Sequence, residues 1–396
     1  MITFRSLSRL AVAGAISLTS GIAVAQHDVG SGGGATKDVA TSESTGRSSA
    51  GARRSPARAP ATARRPPRTP VRRGTTAEQY NQQGNGFFDA KQYDDALEAY
   101  EKAVQLKPIA AAYYHIGWIY NDRDNYDQAI TALQQAVRYN ANDEDSFYEL
   151  GYAYRNLHHY DEALTAYRRS ISLKPDYASA YYEIGWIYND QAQYAQALQP
   201  LRQAATLKNN YAEAHGELGY AYYKLGRSQE AIADYQQAVR MKPDYGLAYL
   251  GLGDVYYYQT KQYAQAAEAY REGVRLKPDN ATAFHNLAWS DNELNQYREA
   301  ASAAKQAIAL KANYPEAYLE LGYANRKLGL FNEAVAAYRE AIRLKPGYGM
   351  AYTGLGDVYF VDLNQYQQSV PAYEQSLLIS PNNAGCVTTL AGLTTT

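Results

Sequence analysis

Eight residues set 34 or 35 positions apart, Trp118, Tyr152, Trp186, Tyr220, Asp254, Trp289, Tyr323 and Asp357, form the most regular series of chemically expressive side chains in the sequence and include all three tryptophans. Tyr114, Tyr148 and Tyr182 stand four residues before members of this row, and Asn121, Arg155, Asn189, Asn292 and Arg326 stand three residues after. Such a series could line a ligand-binding surface. Aromatic rings give broad contact at low entropic cost, and Asn and Arg add directional hydrogen bonds, a combination suited to an extended peptide or a sugar chain. The competing role is packing, because the chain has 40 tyrosines and rings at helical spacing are commonly core residues.

Bond-making groups are dispersed. The histidines His27, His115, His158, His159, His215 and His285 include no pair joined by a carboxylate or cysteine at metal-ligand spacing. One cysteine, Cys386, excludes an intramolecular disulfide framework and a thiolate zinc site. The GxG at Gly251–Gly253 lies within a helical pattern and follows no strand. The acid pairs Asp94-Asp95 and Asp161-Glu162 open helices, where they oppose the positive end of the helix dipole. No catalytic constellation, cofactor or metal is therefore expected, and the chain reads as a non-enzyme.

The elements that must position the aromatic row are helix pairs repeated nine times, over 77–109, 110–143, 144–177, 178–211, 212–245, 246–280, 281–314, 315–348 and 349–383. Counting each repeat from 1, position 8 is Gly84, Gly117, Gly151, Gly185, Gly219, Gly253, Ala288, Gly322 and Gly356, where two helices can approach closely. Position 20 is alanine in eight repeats and Ser369 in the ninth, and position 32 is proline in six, ending the second helix. Apolar residues such as Tyr181, Ile184 and Tyr188 recur at helical spacing, so each pair exposes an apolar side that only a neighbouring pair can cover.

The series of a large residue at position 4, Leu or Ile at 7, Gly at 8, Tyr at 11, Ala at 20, an aromatic at 24 and Pro at 32 resembles the tetratricopeptide repeat. The resemblance implies an all-α, right-handed superhelical solenoid of about nine helix-turn-helix repeats. It also implies that positions 5, 9 and 12, one stripe of the first helix, line a concave groove. The residues named at the outset occupy those positions. Family members that capture the acidic carboxyl terminus of chaperones use lysines on this stripe; here the lysines are missing, and that activity is not expected.

The repeats are grouped. Residues 178–280 and 281–383 align without gaps at 48 identities, and both third members carry one extra residue after GLGDVY. The unit of duplication is thus a triplet whose position 9 reads Trp, Tyr, Asp, and the extra residue is expected between the helices. Pro200 and Pro371 are expected in the first turns of their helices, where proline is best tolerated.

The flanks differ in kind. Residues 1–25 read as a signal peptide, with Arg5 and Arg9 before an apolar stretch and Ala23-Val24-Ala25 at its end. This implies export, periplasmic or secreted, with a mitochondrial transit peptide as the lesser alternative and no transmembrane segment after cleavage. Residues 26–76 read as a disordered basic Pro/Arg/Gly/Ser linker with nine arginines from Arg47 to Arg73. Residues 1–76 carry 12 basic and 3 acidic side chains against 27 and 37 in the remainder, so the linker could attract an anionic envelope polymer or the array itself; nucleic acid is disfavoured for an exported chain. Residues 384–396 form an uncharged tail, a poor cap, which leaves the last helix near Val370–Ile379 partly uncovered for self-association, with Cys386 available for an intermolecular disulfide. Taken together, the residues predict a protein-protein interaction scaffold of the cell envelope that binds a peptide or protein partner in its groove. A carbohydrate or cell-wall-binding module is the alternative, and an accessory subunit of an envelope enzyme or secretion complex a weaker one.

Overall fold

The computed structural model describes residues 75–381 with Cys386, Val387 and Leu390. The signal peptide expected at 1–25, all of the linker except its last two residues, and most of the tail lie outside the described residues. The array divides between Pro243 and Asp244 into two compact units.

In the unit of residues 75–243, five helix pairs follow one another: Ala77–Asp89 with Tyr93–Leu106, Ala110–Asp122 with Tyr126–Tyr139, Glu144–Asn156 with Tyr160–Leu173, Ala178–Asp190 with Tyr194–Leu207, and Ala212–Lys224 with Ser228–Met241. Thr76, assigned above to the linker, starts the first helix: its hydroxyl accepts from the Gln79 amide and the Gln79 side chain accepts from the Thr76 amide, a reciprocal cap. The buried side chains form clusters that span successive pairs, such as Tyr167 and Ala163 with Ala180, Ile184 and Ile187.

The unit of residues 244–381 has four pairs. Ala281–Glu293 with Tyr297–Leu310 and Pro315–Lys327 with Phe331–Leu344 are regular. In the other two, the first helices Gly246–Asp254 and Gly349–Asp357 run on into π-helical turns, Val255–Thr260 and Val358–Asp362, before Tyr263–Leu276 and Tyr366–Ile379. The extra residue of these repeats is therefore not in the connection, as expected above. A π turn takes in one more residue than an α turn, so the insertion is absorbed inside the helix and the close contact of Gly253 with Tyr270 is kept.

Among the described residues every element is helical. Each turn within a pair contains one residue of left-handed backbone, Gly226 and Gly329 in two cases and side-chain-bearing residues such as Lys91, Ala192 and Asn295 elsewhere. The acid pairs Asp94-Asp95 and Asp161-Glu162 lie in first turns. Pro200 and Pro371, by contrast, fall inside their helices beyond the first turn. Cys386 is not available to a second chain: it is 1% exposed and lies 3.5 Å from the Thr353 hydroxyl and 3.7 Å from that of Ser376. On the same last helix Leu378 and Ile379 remain exposed.

Position 8 sets the distance between paired helices. A Cβ at Gly185 would lie 2.4 Å from Leu201 Cγ, and one at Gly151 would lie 2.8 Å from the Tyr167 ring. The one repeat with alanine at this position, Ala288, carries Ala304 where the others carry Leu or Tyr, so the small side chain has moved across the interface. Gly185→Ala is expected to destabilise by about 2 kcal/mol through overpacking. Adding Leu201→Ala, which restores the pairing of Ala288 with Ala304, is expected to cost less than the sum of the two single changes. Urea unfolding of the three variants, followed by helical circular dichroism, measures this.

Candidate partner-binding face

The position-9 rings are half-buried, and one side of each is taken by the preceding repeat. Trp118 meets Phe88 and Tyr93 at centroid distances of 4.9 and 5.5 Å, and Trp289 meets Tyr257 and Tyr263 at 4.9 and 4.6 Å. Tyr152, Tyr220 and Tyr323 meet Tyr126, Tyr194 and Tyr297 edge to face at 6.3, 5.8 and 6.3 Å. In each of these five cases one partner is the first residue of the preceding second helix, so aromatic pairs staple consecutive repeats. Asp254 and Asp357 have a different use: they accept hydrogen bonds from Tyr270 and Tyr373 of their own repeats at 2.6 and 2.8 Å.

Several residues expected to contact a ligand are instead closed into repeat junctions. Tyr182 is buried against Tyr211, and Tyr148 stacks on Tyr177; Tyr114 is half-buried beside His115. The amides of Asn121, Asn189 and Asn292 donate to the carboxylates of Glu149, Glu217 and Glu320 at 3.0, 2.8 and 2.8 Å, and also to the backbone carbonyls of the same glutamates. Each glutamate stands at position 6 of the next repeat, 28 residues on. Arg155 fills the equivalent place with an ion pair to Glu183, 3.3 Å apart and both nearly fully buried. Its guanidinium lies between the rings of Tyr152 and Trp186, 5.0 and 4.9 Å from their centres. Arg326 departs from the pattern because position 6 of its neighbour is Gly354; it pairs with Asp357 at 2.7 Å and Asp362 at 2.5 Å.

A further line of bonds joins position 25 of one repeat to position 11 of the next: Gln134 to Tyr154, Arg168 to Tyr188, Arg202 to Tyr222 and Arg339 to Tyr359. In the seventh repeat the tyrosine is replaced by Asp291, bonded to Arg271. These junction partners, above all the glutamates of position 6, are what reading the stripe alone overlooked. Their signal was present: Glu149, Glu183, Glu217 and Glu320 recur on the repeat period, each 28 residues after a position-12 Asn or Arg.

Enclosing carboxyls has an electrostatic cost. Burial raises Glu320 to about 7, with the Asn292 hydrogen bond opposing the shift, and burial raises Asp291 to about 6 against the opposing Arg271. Burial likewise raises Glu183, opposed by Arg155. Arg155 itself is held above the usual arginine value: burial opposes its charge, but Glu183 and the surrounding tyrosines outweigh it.

The tetratricopeptide repeat pattern matches residues 81–146, 217–281 and 285–349 in one form and 178–211 and 351–383 in another, and a TPR repeat pattern matches 159–191. The chain belongs to the tetratricopeptide repeat family. Arrays of this family are, as a class, protein-protein interaction scaffolds and generally not enzymes. Of curated proteins, the Hsp70-Hsp90 organising protein of Plasmodium falciparum (isolate 3D7) is 33% identical over 66 residues, 16% of this chain and 12% of that protein. This tetratricopeptide chain thus matches only a small part of that relative's length.

Among solved structures, the C-terminal part of a TPR repeat-containing protein from Cytophaga hutchinsonii is similar at 18% identity and a TM-score of 0.50, covering 61% of this chain and 98% of that one. Pseudomonas aeruginosa PilF is similar at 20% identity and a TM-score of 0.48, covering 52% and 94%. The Cytophaga structure is a likeness of fold. No helix among the described residues is long and apolar enough to cross a membrane.

The pH dependence follows from Glu320. Its folded value, about 7, lies above the ordinary 4.5, so the folded chain holds a proton that the unfolded chain releases in that interval, and stability falls as pH rises from about 4.5 to about 7. Glu320→Gln keeps an acceptor for Asn292 and removes the charge. It is expected to raise stability above pH 8 by an amount on the order of 2 kcal/mol while changing little at pH 4.5. Urea midpoints at the two pH values measure it.

Proposed function

We propose that this chain is a non-enzymatic scaffold of the cell envelope that holds an extended peptide segment of a protein partner along its first helices. The observation that carries the reading is the row of half-buried rings at position 9, with Trp118, Trp186 and Trp289 in fixed orientation against the preceding repeat. Rings already immobilised lose little entropy on contact with a ligand. The envelope location rests on the export signal read in residues 1–25.

Stacking on sugar rings is supported less. A sugar needs an open ring face, and Trp289 is met edge to face by two tyrosines, Tyr257 and Tyr263, while one face of Trp186 carries Arg155.

Selection of linear peptides from a displayed library on the full chain tests the proposal. Peptides are expected to be enriched whose affinity falls at least about tenfold in Tyr152→Ala and Tyr220→Ala, variants that trim one exposed edge per repeat. Enriched peptides that bind both variants as well as the parent would place the contact elsewhere and sink the reading.

A further inference from the structure

The exposed face of the last helix differs from that of its equivalents in the same unit. Tyr263–Leu276 and Phe331–Leu344 each end with a surface ion pair, Glu272 with Arg275 and Glu340 with Arg343. The equivalent residues of Tyr366–Ile379 are Gln375 and Leu378. Gln367, Pro371, Glu374, Gln375 and Leu378 are all exposed and follow one another at helical spacing along a single stripe. Leu378 is 75% exposed, and Glu374 is the only charged residue of the helix.

Beside this stripe lies an open groove of about 480 Å³. Tyr352, Leu355 and Tyr359 line it between two walls, Pro371 and Gln375 of the last helix and Arg339 of Phe331–Leu344. Arg339 donates to the Tyr359 hydroxyl at 2.8 Å. Among the described residues neither Arg339 nor Glu374 forms an ion pair. The two helices that bound the groove thus carry one uncompensated base and one uncompensated acid.

A ridge beside a groove on the same surface can pair with itself. In a two-fold contact the ridge of each copy enters the groove of the other, and every residue pair that meets across the axis meets twice. Such a contact needs charges of both signs on one face, which Glu374 and Arg339 supply. Glutamine amides both donate and accept, so they pair with their own kind, and Leu378 leaves water.

We propose that this face is a homodimer interface, in which the stripe of Tyr366–Ile379 sits in the groove of a second copy and Glu374 pairs with the partner's Arg339. The association is non-covalent, because Cys386 is buried. It uses the last second helices, whereas the peptide reading uses the first helices, so the two stand or fall separately.

Sedimentation equilibrium of the full chain from about 1 to about 100 μM, with and without reductant, reads the association. A monomer-dimer equilibrium that stops at two and ignores reductant is expected. Glu374→Arg is expected to raise the dimer Kd at least about tenfold, since it sets like charges against each other twice, and adding Arg339→Glu is expected to bring it back to within about threefold of the parent. Helical circular dichroism checks that each variant is folded.

A chain that stays monomeric throughout the series overturns the proposal, as does assembly that continues past two. A dimer whose Kd is unchanged by Glu374→Arg overturns it as well, and so does a folded double variant that does not recover. Should Arg339→Glu not fold, having lost its bond to Tyr359, Leu378→Glu decides beside Glu374→Arg: weakening at least about tenfold is expected of both, and an unchanged Kd in either overturns the proposal.

Discussion

A pair of helices 13 and 14 residues long, such as Ala178–Asp190 and Tyr194–Leu207, cannot enclose its own apolar surface, and everything else in this chain follows from the need to cover each pair with the next. Stability in such an array is close to a sum of nearest-neighbour terms. Here the neighbours are joined by three periodic lines: rings at position 9 against the start of the preceding second helix, the Asn-Glu bond from position 12 to position 6, and the bond from position 25 to the tyrosine of position 11. The first two lines run along the first-helix stripe that is proposed above to hold a ligand.

That overlap explains which part of the site was legible. The period, the helix pairs and the close approach at position 8 follow from one sequence, because small residues and prolines at fixed intervals have few other physical meanings. The stripe of positions 5, 9 and 12 was also correctly placed on the first helices. What the stripe does was harder to read. Asn121 and Tyr182 look like exposed ligand contacts until Glu149 and Tyr211 are seen to close over them, and those partners sit 28 or 29 residues away, across a junction that a heptad-scale reading does not span. The inserted residues were misplaced for a related reason: a π turn leaves no mark in composition, so Val255–Thr260 looked like the start of a connection.

Burying carboxylates at repeat junctions is an expensive way to join two helices, and a hydrophobic pair of similar volume would often be as stable. What the Asn-Glu bond adds is register. Only one alignment of consecutive first helices brings the position-12 amide to both the carboxylate and the backbone carbonyl of position 6, and the tryptophan of the same repeat is thereby fixed. The triplet reading acquires a physical content from this: repeats with Trp at position 9 carry the Asn-Glu junction, repeats with Tyr carry arginine in Arg155 and Arg326, and repeats with Asp turn inward to their own tyrosines. Equivalence after 103 residues is not complete, since Arg326 pairs with Asp357 and Asp362 whereas the corresponding Tyr223 has no guanidinium to offer.

The central claim is that the stripe serves the repeat junction before it serves any ligand. A double-mutant cycle between Asn189 and Glu217, using Asn189→Ala, Glu217→Ala and the combination in the full chain, tests it most directly. A coupling free energy of about 1 kcal/mol or more, read from urea unfolding, is expected for a buried bond that sets register. A coupling indistinguishable from zero would contradict it and return Asn189 to the role of a ligand contact alone.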